Sequence, residues 1–200
     1  MEEDELQLDL SNKAQRKTLK IVLAINMFQV VMAGAVGVFA QSTGLLGAAL
    51  DNLSDAAVYL VSLFAIGRGI KAQARAASLS GILLSVLGLG LAIEVIRRFV
   101  TDYEPIGIAM IITAIVNAST NVINMRLLAQ HKDKGVHMKA SMIFTENDML
   151  VNVGIVLSGI TVMIFKSAIP DLLIGLVVAG IVLWGGVTIL KDARNMRNVL

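Results

Sequence analysis

Three aspartates are the residues of this sequence whose chemistry conflicts most with their surroundings. Asp51 and Asp55 lie near the middle of the apolar run GLLGAALDNLSDAAVYLVSLFA, and Asp148 lies in a second apolar stretch, SMIFTENDMLVNVG. An ionisable group in hydrocarbon costs several kcal/mol, and about 2.5–3.5 kcal/mol even on insertion scales. The first run contains no lysine or arginine that could pair with its acids. We therefore interpret the three aspartates as functional residues.

The spacing of these aspartates predicts that they meet. At about 100° per residue, Asp51 and Asp55 lie about 40° apart on one helix face. If the two apolar runs pack as antiparallel helices, Asp51 lies level with Asp148, and Asp55 lies level with Phe144. Three carboxylates in a dry bundle must be neutralised by protons or by a cation. Since carboxylate oxygens are good ligands for divalent cations, we predict exchange of a metal ion for protons.

Composition places the chain among membrane proteins. Of its 200 residues, 56% are hydrophobic and 16% are charged, whereas soluble domains carry about 25% charged residues. A hydrocarbon core about 30 Å thick needs about 20 helical residues per crossing. Apolar runs of that length occur at about 19–40, 44–67, 77–99, 105–128, 139–165 and 170–190. The sequence therefore predicts an all-α membrane protein, with a six-helix transmembrane bundle over residues 19–190.

The positions of lysine and arginine predict the orientation of this bundle. Of the 17 basic residues, all but Arg97, Arg98 and Lys166 fall in the two tails or in the loops after spans two and four. Loops rich in lysine and arginine stay on the cytoplasmic side, so both termini are expected in the cytoplasm. We expect residues 1–18 to form a flexible tail and residues 191–200 a short second tail. Because the basic residues form no patch, we predict no nucleic-acid partner.

Other polar residues allow more than one interpretation. Glu94 precedes two arginines by one turn and is interpreted as their ion-pair partner. Glu146 could reach the cytoplasmic mouth, face a partner subunit or take a proton. Three asparagines of span four share a face and either bond neighbouring helices or line an ion path: Asn117, Asn121 and Asn124. The loop histidines are either solvated or form a weak metal-collecting site: His131 and His137.

Four motifs, in this order, resemble the cation diffusion facilitator family. They are LLGAALDNLSDAAVYL, IEVIRRFVTDYEP, HMKASMIFTENDMLVNVGIVLSG and GVTILKDA, and the resemblance covers about residues 15–195. It implies a homodimeric exporter that moves divalent metals, most often zinc, out of the cytoplasm against an inward proton flux. It also implies that Asp51 and Asp55 form a tetrahedral transport site with a matching pair on span five.

The matching pair departs from the family pattern. Asp148 matches the family's aspartate, but Phe144 stands where the family usually has histidine or aspartate, and a phenyl ring cannot bind a metal. Asparagine, threonine or water oxygens could replace the missing ligand. An all-oxygen site should accept cobalt, manganese, iron or cadmium better than a histidine site does, with zinc still possible. The predicted metal ligands are Asp51, Asp55, Asp148, Asn152, Thr145 and Asn52.

The sequence ends about ten residues after span six, so we expect no carboxy-terminal cytoplasmic domain of the kind most family members carry. A homodimer would then form through the membrane helices. Three glycine-rich stretches could serve either a dimer contact or packing within one subunit: AGAVG (33–37), GLGLA (88–92) and LWGGV (183–187).

These observations combine into a prediction of a metal/proton exchanger in a cell membrane, such as the inner membrane of a bacterium. We expect divalent metal ions, protons, the lipid bilayer and a second copy of the chain as its partners. We predict no permanently bound cofactor, and no enzyme activity because the sequence shows no nucleophile–base pair. The alternatives are a passive cation channel with an acidic ring and a membrane partner protein that transports nothing itself.

Overall fold

A computed structural model of the chain describes residues 2–65, 70–101, 103–129 and 136–198. Within its helices, no side chain is described at 2–12, 15, 62, 64, 65, 70, 72, 73, 136–147 and 196–198. The helices are α1 (Glu2–Phe39), α2 (Thr43–Ala65), α3 (Ile70–Phe99), α4 (Gly107–Ala129), α5 (Val136–Phe165) and α6 (Ile169–Asn198). The described residues contain no β-strand, so the predicted all-α class is confirmed.

The six helices follow the six predicted spans in order, but α1, α3 and α6 extend beyond the predicted bounds, α3 by beginning at Ile70. Helix α1 begins at Glu2, so residues 2–18 are helical, while the flexibility of this tail stays a prediction. The run MEEDELQLDL is acidic at its start, and negative charge near a helix N-terminus is favourable. The residues that follow are mostly good helix formers, which continue the helix into the span. Helix α6 likewise continues to Asn198, past the predicted boundary at 190.

Five of the described helices are long and apolar enough to cross a membrane, namely α1, α3, α4, α5 and α6. The helix outside this set is α2, which carries Asp51 and Asp55 in its middle. Helix α2 packs against all five other helices, so its polar face does not need to meet lipid. The bundle surface, in contrast, exposes large apolar side chains such as Phe39 and Trp184. This pattern is that of a multi-pass membrane protein, with α2 at its centre.

The helices divide into a group of four and a pair. Helices α1, α2, α4 and α5 pack on one another, chiefly α1 on α2 and α4 on α5, and we call them the four-helix group. Helices α3 and α6 form the most extensive contact of the bundle, and we call them the α3–α6 pair. Because α2 also packs against α3 and α6, it joins the group to the pair.

Successive helices run in opposite directions, so the bundle has two distinct ends. Leu19 of α1, Tyr59 of α2 and Leu128 of α4 meet in one buried cluster. Gly81 near the start of α3 lies against Gly186 near the end of α6. Basic residues gather at this end, which we call the basic end: Lys17, Lys20, Lys71, Arg75, Arg126, Lys191 and Arg194. That this end faces the cytoplasm stays a prediction.

Glycines allow α3 and α6 to approach each other closely. A Cβ atom on Gly186 would lie 2.6 Å from Ser85 Oγ, and one on Gly81 would lie 2.9 Å from the carbonyl oxygen of Gly186. Helix association in lipid depends on such close packing of small residues. Gly90 and Gly180, in contrast, have no atom within 4 Å of a built Cβ. Within the glycine-rich stretches, Gly186 therefore packs against another helix of the same chain, whereas Gly90 faces open space.

Replacing Gly186 and Gly180 of α6 by alanine, one at a time, should have opposite effects on the free energy of unfolding. Gly186→Ala introduces a methyl group into occupied space and should destabilise the protein by about 1–3 kcal/mol. Gly180→Ala is the matched control, because its methyl group enters open space and alanine favours a helix by up to about 1 kcal/mol. Thermal unfolding of the detergent-solubilised protein, followed by circular dichroism, measures both. Equal shifts in Tm would contradict the close approach of α3 and α6.

Candidate metal-transport site

Helices α2 and α5 bring three carboxyl groups together inside the four-helix group. Asp51, Asp55 and Asp148 are buried, with exposed fractions of 8%, 5% and 5%. The side chain of Asp148 contacts those of both Asp51 and Asp55, and Asp51 lies close enough to Asp55 for their charges to repel. Three like charges cannot all be ionised in a dry interior without compensation. We call these residues the acidic cluster, and its chemistry is that of a site for protons or a cation.

The sequence of α2 explains how its two acids come to face α5. Asp51 and Asp55 are one helical turn apart, so they project from one side of the helix. One turn before Asp51, Gly47 lets α2 approach α6, since a Cβ on Gly47 would lie 2.9 Å from the side chain of Val178. Helix α2 is thereby packed tightly on α6, while its acidic face lies within the four-helix group.

Asn152 adds a second kind of oxygen on the face of α5 that carries Asp148. Its side-chain nitrogen donates a hydrogen bond to the backbone carbonyl of Asp148 at 2.8 Å, which fixes the orientation of the amide. Its Oδ1 atom is then buried without a hydrogen-bond partner, as is Oδ2 of Asp55. Buried polar atoms are nearly always paired, so unpaired acceptors of this kind mark places where a cation or water binds.

The structure describes the side chain of only one of the two remaining predicted ligands, Asn52 and Thr145. Asn52 is buried, but it lies about 100° around α2 from Asp51 and so on another face. Thr145 lies in α5, and its side chain is outside the described residues, as are those of Phe144 and Glu146. The loop histidines also fall outside the described side chains: His131 and His137. The roles of these residues stay predictions.

The acidic cluster does not have the geometry of a finished metal centre. Among the described side chains, no group of three or more histidine, cysteine, aspartate or glutamate residues is arranged to hold a metal ion. The carboxyl groups instead touch pairwise, with Asp148 between Asp51 and Asp55. Ligation of one ion would require their oxygens to turn toward a common point.

The acidic cluster belongs to a polar layer that crosses the four-helix group. On the side of α1 and α4, Gln29 Nε2 donates to Thr120 Oγ1 at 2.7 Å, to Asn121 Oδ1 at 2.7 Å and to the backbone carbonyl of Asn117 at 3.1 Å. Asn121 therefore bonds to α1 through its side chain and Asn117 through its backbone carbonyl, while a role of the span-four asparagines in an ion path stays a prediction. The members of this polar layer are all buried: Asn26, Gln29, Asp51, Asp55, Asn117, Asn121, Asn124, Asp148 and Asn152.

Apolar clusters lie on both sides of the polar layer. The cluster toward the basic end, which we call the inner apolar cluster, contains Leu19, Val22, Tyr59 and Leu128. The cluster toward the opposite end, which we call the outer apolar cluster, contains Ala40, Leu45, Ala48, Met110, Ala114, Ile155 and Val162. Asp55 lies one turn from Tyr59, and Asp51 lies one turn from Ala48. Within the described part of the chain, apolar side chains thus separate the carboxyl groups from both ends.

Glu94 is not part of the acidic cluster. Arg97 Nε donates to one carboxylate oxygen of Glu94 at 2.8 Å, and Arg98 Nε donates to the other at 2.7 Å. The predicted ion pairing is confirmed. Since two guanidinium groups compensate its charge locally, Glu94 needs neither a proton nor a metal ion.

Asp171 is a fully buried acidic residue that was not among the predicted site residues. It lies in the first turn of α6, directly after Pro170, where both residue types favour the start of a helix. Those signals were present in the sequence. Its hydrogen-bond partners lie at the start of α2, more than 120 residues earlier in the chain, and no spacing rule relates the two segments.

Comparison with known protein families identifies the domain to which these helices belong. Residues 19–196 match the cation efflux transmembrane domain. No curated protein matches the sequence. The family match spans all six helices and includes the acidic cluster, and it covers most of the 200-residue chain. The chain therefore belongs to the cation efflux family.

Proposed function

We propose that this cation efflux protein exports a divalent metal ion, with zinc as the leading candidate, in exchange for protons. The observation that carries the proposal is the contact of Asp148 with both Asp51 and Asp55 in a buried layer of the bundle. One divalent ion together with one proton, or three protons, would neutralise the three carboxyl groups, and the two cargoes compete for the same oxygens. Competition at one site couples export of the metal to import of protons.

Four oxygen donors are proposed to hold the ion. Asp51, Asp55 and Asp148 supply carboxylate oxygens, and Asn152 supplies Oδ1, which has no other partner. Thr145 and Asn52 stay as alternative donors. A set of oxygens suits zinc at about 2.0–2.2 Å and also suits manganese, cobalt, iron and cadmium, because it lacks the imidazole that favours zinc.

The two apolar clusters support a carrier that alternates between two sides. Leu19, Val22, Tyr59 and Leu128 stand between the polar layer and the basic end, and the outer apolar cluster stands between it and the opposite end. Opening one cluster at a time exposes the carboxyl groups to one side of the membrane only. Movement of the four-helix group against the α3–α6 pair would achieve this, since the two units meet where α2 packs against α3 and α6 and where α5 packs against α6.

A passive cation channel is the second candidate, and a membrane partner without transport activity is the third. A channel needs a continuous polar path, and the apolar clusters on both sides of the polar layer weigh against one. Purified protein in liposomes, with a panel of metal ions outside and a pH dye inside, distinguishes the three. A carrier gives saturable metal flux with opposite proton flux, a channel gives ionic current, and a partner protein gives neither.

We further propose an orientation, a dimer contact and a location for the protein in the cell membrane. The basic end is placed in the cytoplasm because lysine and arginine remain on that side, which puts both termini there. Dimerisation through membrane helices is supported by Gly90 and Gly180, where a helix from a second copy could approach without steric conflict. A bacterial inner membrane is the location that suits metal export driven by an inward proton gradient.

Removing one negative charge from the acidic cluster should abolish transport. Asp51→Asn, Asp55→Asn and Asp148→Asn each keep the side-chain volume but remove a charged ligand, and we expect metal flux in liposomes to fall at least about tenfold. Asp192→Asn is the control, because Asp192 is an exposed acid near the end of α6. Wild-type flux in any of the three cluster variants would remove that residue from the site.

Asn152 should affect affinity and metal preference. Asn152→Leu removes the unpaired oxygen and should weaken metal binding about tenfold, while Asn152→His should raise the preference for zinc over manganese, because imidazole suits zinc. Competition binding with a fluorescent metal indicator measures both. Asn121→Leu is the control, since Asn121 is an equally buried asparagine of the polar layer whose Oδ1 already accepts a hydrogen bond from Gln29. Equal effects of the two leucine variants would indicate general damage to the polar layer.

Metal binding should release protons and should weaken as pH falls. The carboxyl groups bind metal only when deprotonated, so a low pH favours the protonated, metal-free site. Titration calorimetry in two buffers of different ionisation enthalpy gives the number of protons released per ion. Asp148→Asn should release fewer protons than the wild type. Metal binding that is independent of pH and releases no protons would contradict the exchange, even if the protein transports metal.

A further inference from the structure

We propose that Asp171 is a positioning residue for transport, whose carboxylate clasps the first turn of α2 to α6 and holds the end opposite the basic end closed. We call this carboxylate and its hydrogen-bond partners the α2–α6 clasp. Its part in transport rests on the proposed function, whereas its effect on access to the bundle interior does not.

The carboxylate of Asp171 is fully buried and receives four hydrogen bonds from the start of α2. Oδ1 accepts from Ser42 Oγ at 2.6 Å and from the backbone N–H of Gly44 at 3.1 Å. Oδ2 accepts from the backbone N–H of Thr43 at 2.6 Å and from Thr43 Oγ1 at 2.9 Å. Two of these four bonds are short, as is typical of hydrogen bonds to an ionised acceptor.

These bonds complete the N-terminus of α2. The first four N–H groups of a helix have no partner within it, and in a bilayer each unpaired group costs several kcal/mol. Asp171 accepts from the first two of them. Ser42 caps the next two, since its Oγ accepts from Leu45 N at 3.1 Å and its carbonyl oxygen accepts from Leu46 N at 3.2 Å. A residue of α6 is therefore part of the cap of α2.

The charge of Asp171 is compensated by its position between two helix starts. Helices α2 and α6 both begin at this end, and the partial positive charge of a helix N-terminus favours a carboxylate. Tyr103 also donates to Asp171 Oδ2 at 3.3 Å. Burial, and then the negative charge of Asp171, raise the pKa of Tyr103, so its hydroxyl keeps its proton at physiological pH and remains a donor.

The α2–α6 clasp extends to α3 through Arg98. The guanidinium of Arg98 lies 5.1 Å from the centre of the Tyr103 ring, and it donates a hydrogen bond to the backbone carbonyl of Gln41 in the α1–α2 turn. The same arginine pairs with Glu94 on α3. The α3–α6 pair is thus fastened to the beginning of α2 from both of its helices.

Glycines make the contact possible. A Cβ on Gly175 would lie 2.5 Å from Thr43 Oγ1, and a Cβ on Gly44 would lie 3.1 Å from Asp171 Oδ1. Larger residues at either position would push α2 away from α6. The sequence therefore brings the two helix starts together at close range, where a carboxylate reaches the backbone of the other helix.

The position of the α2–α6 clasp gives it a role in opening. Asp51 follows Thr43 by two turns of α2, or about 12 Å, and Leu45 and Ala48 of the outer apolar cluster lie between them. Helix α2 belongs to the four-helix group, whereas Asp171 belongs to the α3–α6 pair. Movement of the group away from the pair at this end must break the bonds of Asp171. Their strength therefore sets how readily the acidic cluster becomes accessible from this side.

The sequence contains no cysteine, which allows a direct test of accessibility. Ala48→Cys places one thiol in the outer apolar cluster, where the native alanine is 3% exposed. In liposomes, a membrane-impermeant thiol reagent added on the side of the clasp should label it slowly. Combining Ala48→Cys with Asp171→Asn should raise the labelling rate at least about tenfold, because the carboxamide lacks the charge and turns an NH₂ group toward N–H donors. Asp192→Asn is the control and should leave the rate unchanged.

A purely structural role for Asp171 predicts a different result. Asp171→Asn would then lower the Tm while the folded fraction labels at the wild-type rate, and that outcome would overturn the proposal. Tyr103→Phe is the milder variant if Asp171→Asn fails to fold, because it removes only the hydroxyl that lies 3.3 Å from Asp171 Oδ2 and 3.5 Å from the carbonyl oxygen of Ala168, and it should raise the rate by a smaller factor. If Asp171→Asn does not fold, the proposal would also be overturned by a Tyr103→Phe variant in which Ala48→Cys is labelled at the wild-type rate.

The same experiment separates this inference from the proposed function. Faster labelling in Asp171→Asn supports the α2–α6 clasp even if the wild-type protein moves no metal in liposomes, in which case the proposed function fails alone. If the wild-type protein transports metal but Asp171→Asn leaves the labelling rate of Ala48→Cys unchanged, the inference about the α2–α6 clasp fails alone. Where both hold, Asp171→Asn should change the maximal transport rate more than the metal affinity measured at equilibrium.

Discussion

The need to keep three carboxyl groups away from both lipid and water governs the organisation of this bundle. An uncompensated charge in hydrocarbon is too costly for an isolated helix, and α2 carries two acids in its middle. Helix α2 therefore has to be surrounded, and it is the helix that touches all five others. The neighbouring helices carry most of the large apolar side chains exposed on the described surface, so they, rather than α2, supply the lipid-facing surface.

Enclosure of α2 creates a second requirement, which concerns its backbone. A helix that begins inside a bundle cannot leave its first N–H groups to water, because little water reaches them. Asp171 and Ser42 accept these four groups, and Gly44 and Gly175 leave room for the contact. The acidic cluster and the α2–α6 clasp are thus two consequences of placing α2 at the centre.

Local sequence patterns were sufficient to predict the six helices, because twenty apolar residues in a row have few alternatives in a bilayer. The shared face of Asp51 and Asp55 also follows from helical geometry. Their contact with Asp148 needed one further assumption, that spans two and five pack antiparallel, and the structure places the side chain of Asp148 against those of Asp51 and Asp55. Their role as metal ligands stays a prediction, as do those of Thr145 and Asn52.

Features that depend on packing between distant segments could not be predicted in this way. Nothing in α1 indicates that Gln29 bonds to α4, and nothing near Asp171 indicates that its partners start α2. The helical conformation of residues 2–18 was not predicted for a different reason, since the acidic run was interpreted from its charge alone. Acidic residues at a helix start are also favourable to the helix, and α1 begins at Glu2.

The buried aspartates of this protein differ in how completely their oxygens are bonded, and this difference separates structure from function. Asp171 receives hydrogen bonds from three successive residues of α2, so both oxygens are occupied and its charge needs no exchangeable partner. Asp55 has an oxygen without a hydrogen-bond partner among the described residues, and Asp148 contacts two groups of like charge, Asp51 and Asp55. A carboxylate with a full set of donors is held by the fold whatever is bound elsewhere. One without them is stable only with a proton or a metal ion, and a site that accepts either is suited to exchange one for the other.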